Sequence, residues 1–371
     1  MNTIQMVDLV GQYHKIKAAV DQSIMEILEN GSYINGPAVK EFQKSLSEYL
    51  KAKHVVPCAN GTDALQMALM ALDLKPGDEV ITTPFTFVAT AEVIVLLGLK
   101  PVFVDVDERT FNIDPNKIEA AITDKTKVII PVHLFGQAAD MHAILELAEK
   151  HQLFVVEDNA QAIGSKVLVN NQWKYTGTAG DIGTLSFYPS KNLSCFGDGG
   201  ALTSNKSDLG KKLNIIANHG SEVKYYHTSI GVNSRLDSIQ AAVLNEKLKH
   251  LPEYTKARQD LAEKYDNAFA DMEEVQIPYR TSYSTHVFHQ YTLKVKDRDA
   301  LQAFLKEKGI PSMVYYPVPL HQQDAYKSAD WGKLPVSEKL AKEVLSLPMH
   351  TEMQEEQIKF IIQNIKQFYK K

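Results

Sequence analysis

The chain has 371 residues, a formal net charge of −5, 44% hydrophobic residues and 23% charged ones. These proportions belong to ordinary globular proteins and exclude a disordered tail, a collagen-like rod or a small disulfide-stapled scaffold. Forty Lys and Arg stand against 45 Asp and Glu, so no basic excess points to nucleic acid, and the length predicts two domains or one large domain with a smaller appendage.

In chain order, His54–Ala59 reads as a strand. Thr62–Leu74 follows as a helix with Leu65, Ala68, Leu69 and Leu72 on one face, stopped at Pro76-Gly77-Asp78. Glu79–Thr83 is a predicted strand, Ala89–Leu97 a helix and Pro101–Val104 a strand. Val128–Val132 and Leu153–Glu157 are nearly all apolar, as expected of strands covered on both faces, with a helix at Ala138–Lys150 between them. Ile182–Phe187 and Gly200–Ser204 read as two further strands. This rhythm predicts an α/β fold with a mostly parallel sheet between helices. From Leu236 the pattern changes to a long helix (Leu236–Ala270), a strand (Phe288–Val295), a helix (Arg298–Lys308), a strand (Ser312–Tyr316) and helices near Val336–Leu345 and Glu355–Tyr369. The expected division is a large α/β domain over 1–250 and a smaller α+β domain over 251–371.

Only Cys58 and Cys195 are present, which gives neither a disulfide framework nor a zinc set. Met1–Val10 lacks the basic start and apolar run of a signal peptide. The most apolar stretch, Val88–Leu99, contains Glu92 and falls short of the roughly 20 apolar residues of a membrane span. A cytoplasmic protein is expected, bound to no membrane. The 12 histidines include no His-Glu-x-x-His run, so no metal site is expected.

Four segments fall where an open α/β sheet places its ligand, beyond the carboxyl ends of strands. Asn60-Gly61-Thr62-Asp63 joins a strand to a helix start, where free N–H groups favour an anion, although a plain helix cap has the same pattern. Val155-Val156-Glu157-Asp158 ends an apolar strand in two acids. A carboxylate buried there needs a partner, which a protonated pyridine nitrogen or the following turn would supply. Ser186-Phe187-Tyr188-Pro189-Ser190-Lys191 presents a serine and then a lysine beside a Gly-rich segment. Desolvation there would lower the amine's pKa and allow a Schiff base with an aldehyde, whereas a surface loop would leave it inert. Thr83-Pro84-Phe85-Thr86-Phe87 offers an aromatic that either stacks on a planar ring or packs in the core. A phosphate cup, an acid and a lysine together fit pyridoxal 5′-phosphate. Asp158 would keep the ring nitrogen protonated, and Lys191 would hold the aldehyde and then shuttle a proton.

With these residues in place, the sequence resembles the nucleotide-sugar aminotransferases of the DegT/DnrJ/EryC1/StrS family, which have pyridoxal-phosphate fold type I. Matching segments run nearly end to end: Ser32-Tyr33-Ile34-Asn35-Gly36-Pro37, Asn60 through Leu65, Pro131 through Gly136, Glu157 through Gln161, Ser186 through Gly200, and Gly231 through Leu236. The resemblance implies Lys191 as the Schiff-base lysine, Asp158 on the pyridine nitrogen, Gln161 near the ring hydroxyl and Phe87 stacked on the ring. It implies Gly61, Thr62 and Ser186 as phosphate contacts, and Asn233 reaching the phosphate from a neighbouring subunit, hence a homodimer with shared active sites. Arg235, one of five arginines, is the candidate for gripping a substrate carboxylate, with an interface ion pair as the alternative. Relatives with histidine in place of the lysine act as dehydratases, so Lys191 favours transamination. Ser194 departs from the glycine of many relatives.

His219-Gly220, Asn233 through Asp237 and Val287 through Tyr291 are most similar to the branch that aminates a 3-keto sugar. That similarity implies transfer from L-glutamate to UDP-2-acetamido-2-deoxy-3-oxo-glucuronate, for polysaccharide or O-antigen biosynthesis. A dTDP-3-keto-6-deoxyhexose, a 4-keto sugar and a non-catalytic regulatory role are the alternatives. His289, Tyr316 and His321 would contact the sugar or serve only as structural hydrogen-bonding groups.

Overall fold

The computed structural model describes residues 3–326 and 331–370, so Met1 and Asn2 of the N-terminal stretch lie outside the described residues. Two helices that the sequence reading did not assign open the chain, α1 (Leu9–Asn30) and α2 (Pro37–Leu50). Next come β1 (His54–Cys58), α3 (Gly61–Met70), β2 (Glu79–Thr82), α4 (Ala89–Leu96), β3 (Lys100–Phe103), the short α5 (Pro115–Ile118), β4 (Thr126–Ile129), α6 (Met141–His151) and β5 (Phe154–Asp158). A hairpin, β6 (Lys166–Val169) and β7 (Gln172–Tyr175), precedes β8 (Ile182–Ser186), β9 (Gly200–Ser204) and α7 (Ser207–Ala217). A second hairpin, β10 (Ser221–Val223) and β11 (Tyr226–His227), leads to α8 (Ser238–Phe269). The C-terminal part holds β12 (Val275–Gln276), β13 (Tyr291–Val295), α9 (Arg298–Glu307), α10 (Pro335–Glu343), β14 (Val344–Leu347) and α11 (Glu355–Tyr369).

Seven strands form the main sheet in the order β1-β9-β8-β5-β4-β2-β3. All neighbouring pairs from β8 to β3 are parallel, while β9 runs antiparallel to both β8 and β1. The reversal has a local cause. The connection from Ser186 to Gly200 holds no helix and folds back on itself, with Phe187 N–H donating to Gly199 O and Cys195 N–H donating to Phe187 O, both at 2.7 Å. A parallel return needs a crossover, usually a helix. The carboxyl ends of the other six strands therefore share one edge, and the 187–199 loop sits on it.

Beneath one face, α3 and α4 bury Ala64, Leu65, Ala68, Leu69, Val93 and Ile94 against Val80, Val128 and Val156 of the strands. Residue 250 lies inside α8, whose 32 residues serve two cores. Ala241, Ala242, Leu244, Leu248 and Leu251 pack with α2 and β1, and Leu261, Ala262, Tyr265 and Phe269 pack with the three-stranded sheet β12-β13-β14.

Three expectations are corrected in the C-terminal part. Ser312–Tyr316 is no strand: Met313 makes one isolated bridge to Ser346, and Pro311 and Pro317 bracket a segment that turns toward the large sheet. The helix expected over Val336–Leu345 ends at Glu343, because Val344-Leu345-Ser346-Leu347 is wholly buried and pairs with β13. An apolar run buried on both sides has no period to separate strand from helix. The strand expected from Phe288 starts at Tyr291, since Phe288 adopts a left-handed φ of 47° and its N–H donates to His286 Nδ1.

Candidate active site

A cleft of about 750 Å³ opens over the carboxyl edge of the sheet. Its walls bring together Gly61, Thr62, Phe87, Asp158, Gln161, Ser186, Lys191, His289 and Tyr316, residues far apart in the sequence. Asn233, Arg235 and His321 are not among the lining residues. His321 is held by Glu338 at 3.2 Å, and Arg235 Nη2 donates to Asn218 Oδ1 at 3.4 Å.

At one end, α3 begins against Ser186. Asn60 caps it by accepting from Asp63 N–H at 2.8 Å, and the first intrahelical bond runs from Ala64 N–H to Asn60 O. The Gly61 and Thr62 N–H groups have no protein acceptor among the described residues, which makes this helix start an anion site. A Cβ at Gly61 would meet Ser186 Cβ at 2.7 Å, so only glycine lets the helix start and the end of β8 close up into a cup.

The two acids ending β5 separate by strand alternation. Glu157 points away from the cleft into a set of donors: His133 Nε2 at 2.8 Å and the N–H groups of Gly177 (2.8 Å), Ala179 (2.7 Å) and Gly180 (2.7 Å). Burial pushes its carboxyl up, but His133 and these N–H groups outweigh it and hold the pKa below the usual range. Because His133 Nδ1 accepts from Ala139 N–H, Nε2 carries the proton given to Glu157. Asp158 lines the cleft. Its Oδ2 accepts from Thr90 Oγ1 at 2.8 Å and its Oδ1 from Ala160 N–H at 3.1 Å, so each oxygen keeps room for another donor. Thr90 was not singled out in the sequence. The one signal was its spacing of four from Thr86 across the start of α4, where the two hydroxyls lie 3.2 Å apart.

Lys191 closes a turn whose second residue is Pro189, with its N–H donating to Tyr188 O at 2.8 Å. No partner holds its amine among the described residues. Burial lowers its pKa to about 8, against the opposing pull of Asp158. The neutral amine is the nucleophile, so capture of an aldehyde by protein stripped of cofactor should quicken as pH rises through about 8 and then level off. Stopped-flow absorbance with pyridoxal 5′-phosphate reads this; a rate still climbing at pH 10 would place the amine in open water.

The remaining walls are planar or polar. Phe87 is 56% exposed, which leaves a ring face open rather than spent in the core. Gln161 is fixed by both ends of its amide, Oε1 accepting from Phe135 N–H at 2.8 Å and Nε2 donating to Tyr316 Oη at 3.1 Å. Tyr316 thus keeps its own proton to donate elsewhere. Burial holds the His289 imidazole well below its ordinary pKa, reinforced by Lys191 and Arg258, so it is neutral. Free N–H groups at a phosphate-sized cup, an unpartnered amine, an acceptor with spare capacity and an open ring face match the four parts of pyridoxal 5′-phosphate.

A model of the DegT/DnrJ/EryC1/StrS aminotransferase family matches residues 14–366. The chain is 48% identical over 373 residues to a pleiotropic regulatory protein of Geobacillus stearothermophilus, covering 99% of each. It is 44% identical over 358 residues to the UDP-2-acetamido-2-deoxy-3-oxo-D-glucuronate aminotransferase of Pseudomonas aeruginosa, covering 96% of this chain and 98% of that one. The crystal structure of NtdA from Bacillus subtilis, with its cofactor PMP bound, superposes with a TM-score of 0.90 at 33% identity, covering 99% of this chain and 83% of that one. The family match spans both cores and the loop that carries Lys191, and the chain belongs to the DegT/DnrJ/EryC1/StrS family of pyridoxal-phosphate-dependent sugar aminotransferases.

Proposed function

We propose that the chain moves the amino group of L-glutamate to C3 of UDP-2-acetamido-2-deoxy-3-oxo-glucuronate, as a homodimer, supplying an amino sugar for a surface polysaccharide. The observation that carries the aminotransferase reading is the meeting of the Lys191 amine, the Asp158 carboxylate and the free N–H groups of Gly61 and Thr62 on one cleft. The named activity of the Pseudomonas relative supports the choice of sugar. The regulatory name of the Geobacillus relative does not displace it, because a chain that had left catalysis would have no need to keep both Lys191 and Asp158. The two free thiols, Cys58 and Cys195, agree with a reducing cytoplasm. No helix of the described residues is long and apolar enough to cross a membrane.

When bound, the cofactor supplies an electron-withdrawing ring and an aldehyde that carries the amino group between substrates. The protein's part is to seat and steer. Gly61, Thr62 and Ser186 would anchor the phosphate, Phe87 would cover one face of the ring, and Gln161, already oriented by Phe135 and Tyr316, has one N–H left for the ring hydroxyl. Asp158, held in place by Thr90, would accept a hydrogen bond from the ring nitrogen and keep it protonated. Lys191, as a neutral amine, would hold and move the proton of the substrate carbon as the general base and acid of both half-reactions. His289 and Tyr316 line the cleft and would contact the sugar.

The dimer reading rests on what one chain lacks. No arginine of the described residues lines the cleft, yet glutamate and a uronate both carry carboxylates. Asn233 is exposed and Arg235 stands outside its own cleft. In the same stretch of chain, Tyr225 (81% exposed) and Ile230 (86%) offer apolar side chains that a second copy would cover. Arg235→Lys should therefore raise KM for glutamate and for the uronate about tenfold while sparing a neutral keto sugar, because a lysine cannot make the paired bonds of a guanidinium; equal effects on both sugars would refute the clamp. The function itself is tested with the purified holoenzyme, glutamate and a panel of UDP- and dTDP-linked 3- and 4-keto sugars, read by product mass. Amination of only 4-keto or only dTDP-linked sugars overturns the substrate assignment.

A further inference from the structure

Directly behind the loop that carries Lys191 sits a lysine with no place in the chemistry above. Lys247, on α8, is 2% exposed. Its ammonium donates to Ser194 Oγ at 3.0 Å and lies 4.6 Å from the centre of the Phe196 ring. No carboxylate lies within ion-pair distance of it among the described residues. An ammonium has three protons to place, and water is excluded here, so the site spends binding capacity on a charge that a methionine would avoid.

The two groups that hold the Lys247 ammonium, Ser194 and Phe196, lie three and five residues after Lys191. Seven positions earlier on α8, on the same helix face, Gln240 Oε1 accepts from Phe196 N–H at 2.8 Å. From the opposite side, Asn192 Nδ2 donates to Val287 O at 3.0 Å, and Cys195 N–H donates to Phe187 O at 2.7 Å. The loop has no helix or strand of its own between Ser186 and Gly200, so these tethers decide where Lys191 stands.

We propose that Lys247 is a positioning residue for Lys191: its ammonium, clasped between the Ser194 hydroxyl and the Phe196 ring, pins the 192–197 segment to α8 and so sets the register of the cofactor lysine. Ser194 supplies the hydroxyl that completes the clasp. The burial that makes Lys247 unfavourable for the fold is what makes the clasp rigid, since no carboxylate of the described residues competes for the ammonium. Burial lowers its pKa to about 8, with the nearby Cys195 thiol opposing, so the cation persists at neutral pH. The inference rests on Lys191 as the cofactor lysine, but its test does not share that assumption.

Hydrogen exchange read by mass spectrometry on the full-length protein without cofactor reports on the 192–197 amides directly. In Lys247→Met, exchange over 192–197 should rise about tenfold while peptides of β2 and β5 stay protected. The melting temperature should hold or rise, because a buried unpaired charge has been removed. Pyridoxal 5′-phosphate should bind about tenfold more weakly. Ser194→Ala should show a smaller rise, the double variant should exchange no faster than Lys247→Met alone, and Lys247→Arg should restore part of the protection. Unchanged exchange over 192–197 in both single variants overturns the proposal. So does a rise spread over the whole sheet with a lowered melting temperature, which would make Lys247 a core residue and nothing more. Failure of the Lys191 assignment would show instead as turnover surviving Lys191→Ala, with the exchange result standing.

Discussion

Lys191→Ala is expected to abolish turnover, by at least about 10³-fold, while the protein still folds and still takes up cofactor through its phosphate cup. The residue makes no side-chain hydrogen bond or ion pair among the described residues, and its loop is held by Pro189, Ser194 and Phe196 rather than by its own amine. Removing the amine therefore takes away one nucleophile and one proton carrier and little else. Two measurements check it: rate of product formation with glutamate and keto sugar, and borohydride reduction followed by peptide mapping, which should fix cofactor to residue 191 in the wild type and to no lysine in the variant. Added methylamine should recover a small part of the rate, because a free amine can enter a cleft of about 750 Å³. Wild-type turnover in Lys191→Ala would remove the residue from the reaction.

Asp158→Asn should lower kcat by about 10²-fold and leave the fold intact. The asparagine carbonyl can still accept from Ala160 N–H, and the amide then faces Thr90 Oγ1, which can turn from donor to acceptor, so the local structure has no reason to collapse. What changes is the side facing the ring. A carboxylate accepts from a protonated nitrogen, whereas an asparagine amide offers N–H groups and favours the unprotonated ring, which withdraws electrons less. A cofactor analogue methylated on the ring nitrogen carries its positive charge without a proton, so it should narrow the gap between variant and wild type. Equal rates for Asp158→Asn and wild type would refute the role given to Asp158. The contrast with Glu157 sharpens the point: Glu157→Gln breaks a buried cluster of four donors, so its expected damage is to stability instead of to cofactor chemistry.

The large sheet and the positions of its ligand-binding turns were legible from residue patterns alone. Val128–Val132 and Leu153–Val156 are apolar without a break because both their faces are covered, and Pro189 and Gly61 mark turns that only certain residues can make. Short-range chemistry of this kind is written in neighbouring residues. The reversal of β9 was not legible, because strand direction depends on how a thirteen-residue loop (200 − 186 − 1) folds back, and its tethers come from Gln240 and Lys247 on a helix about fifty residues away. The same holds for β14, whose four buried residues have no period until β13 pairs with them. Which of two adjacent acids faces the cleft, which hydroxyl supports it and which histidine stays neutral were likewise settled only once His133, Thr90 and Arg258 had been brought in from distant parts of the chain. Residue type and spacing determined what chemistry this protein could perform. Tertiary packing decided which copies of each residue type perform it, because burial and long-range hydrogen bonds, not sequence neighbours, set where an amine loses its proton and a carboxylate keeps its charge.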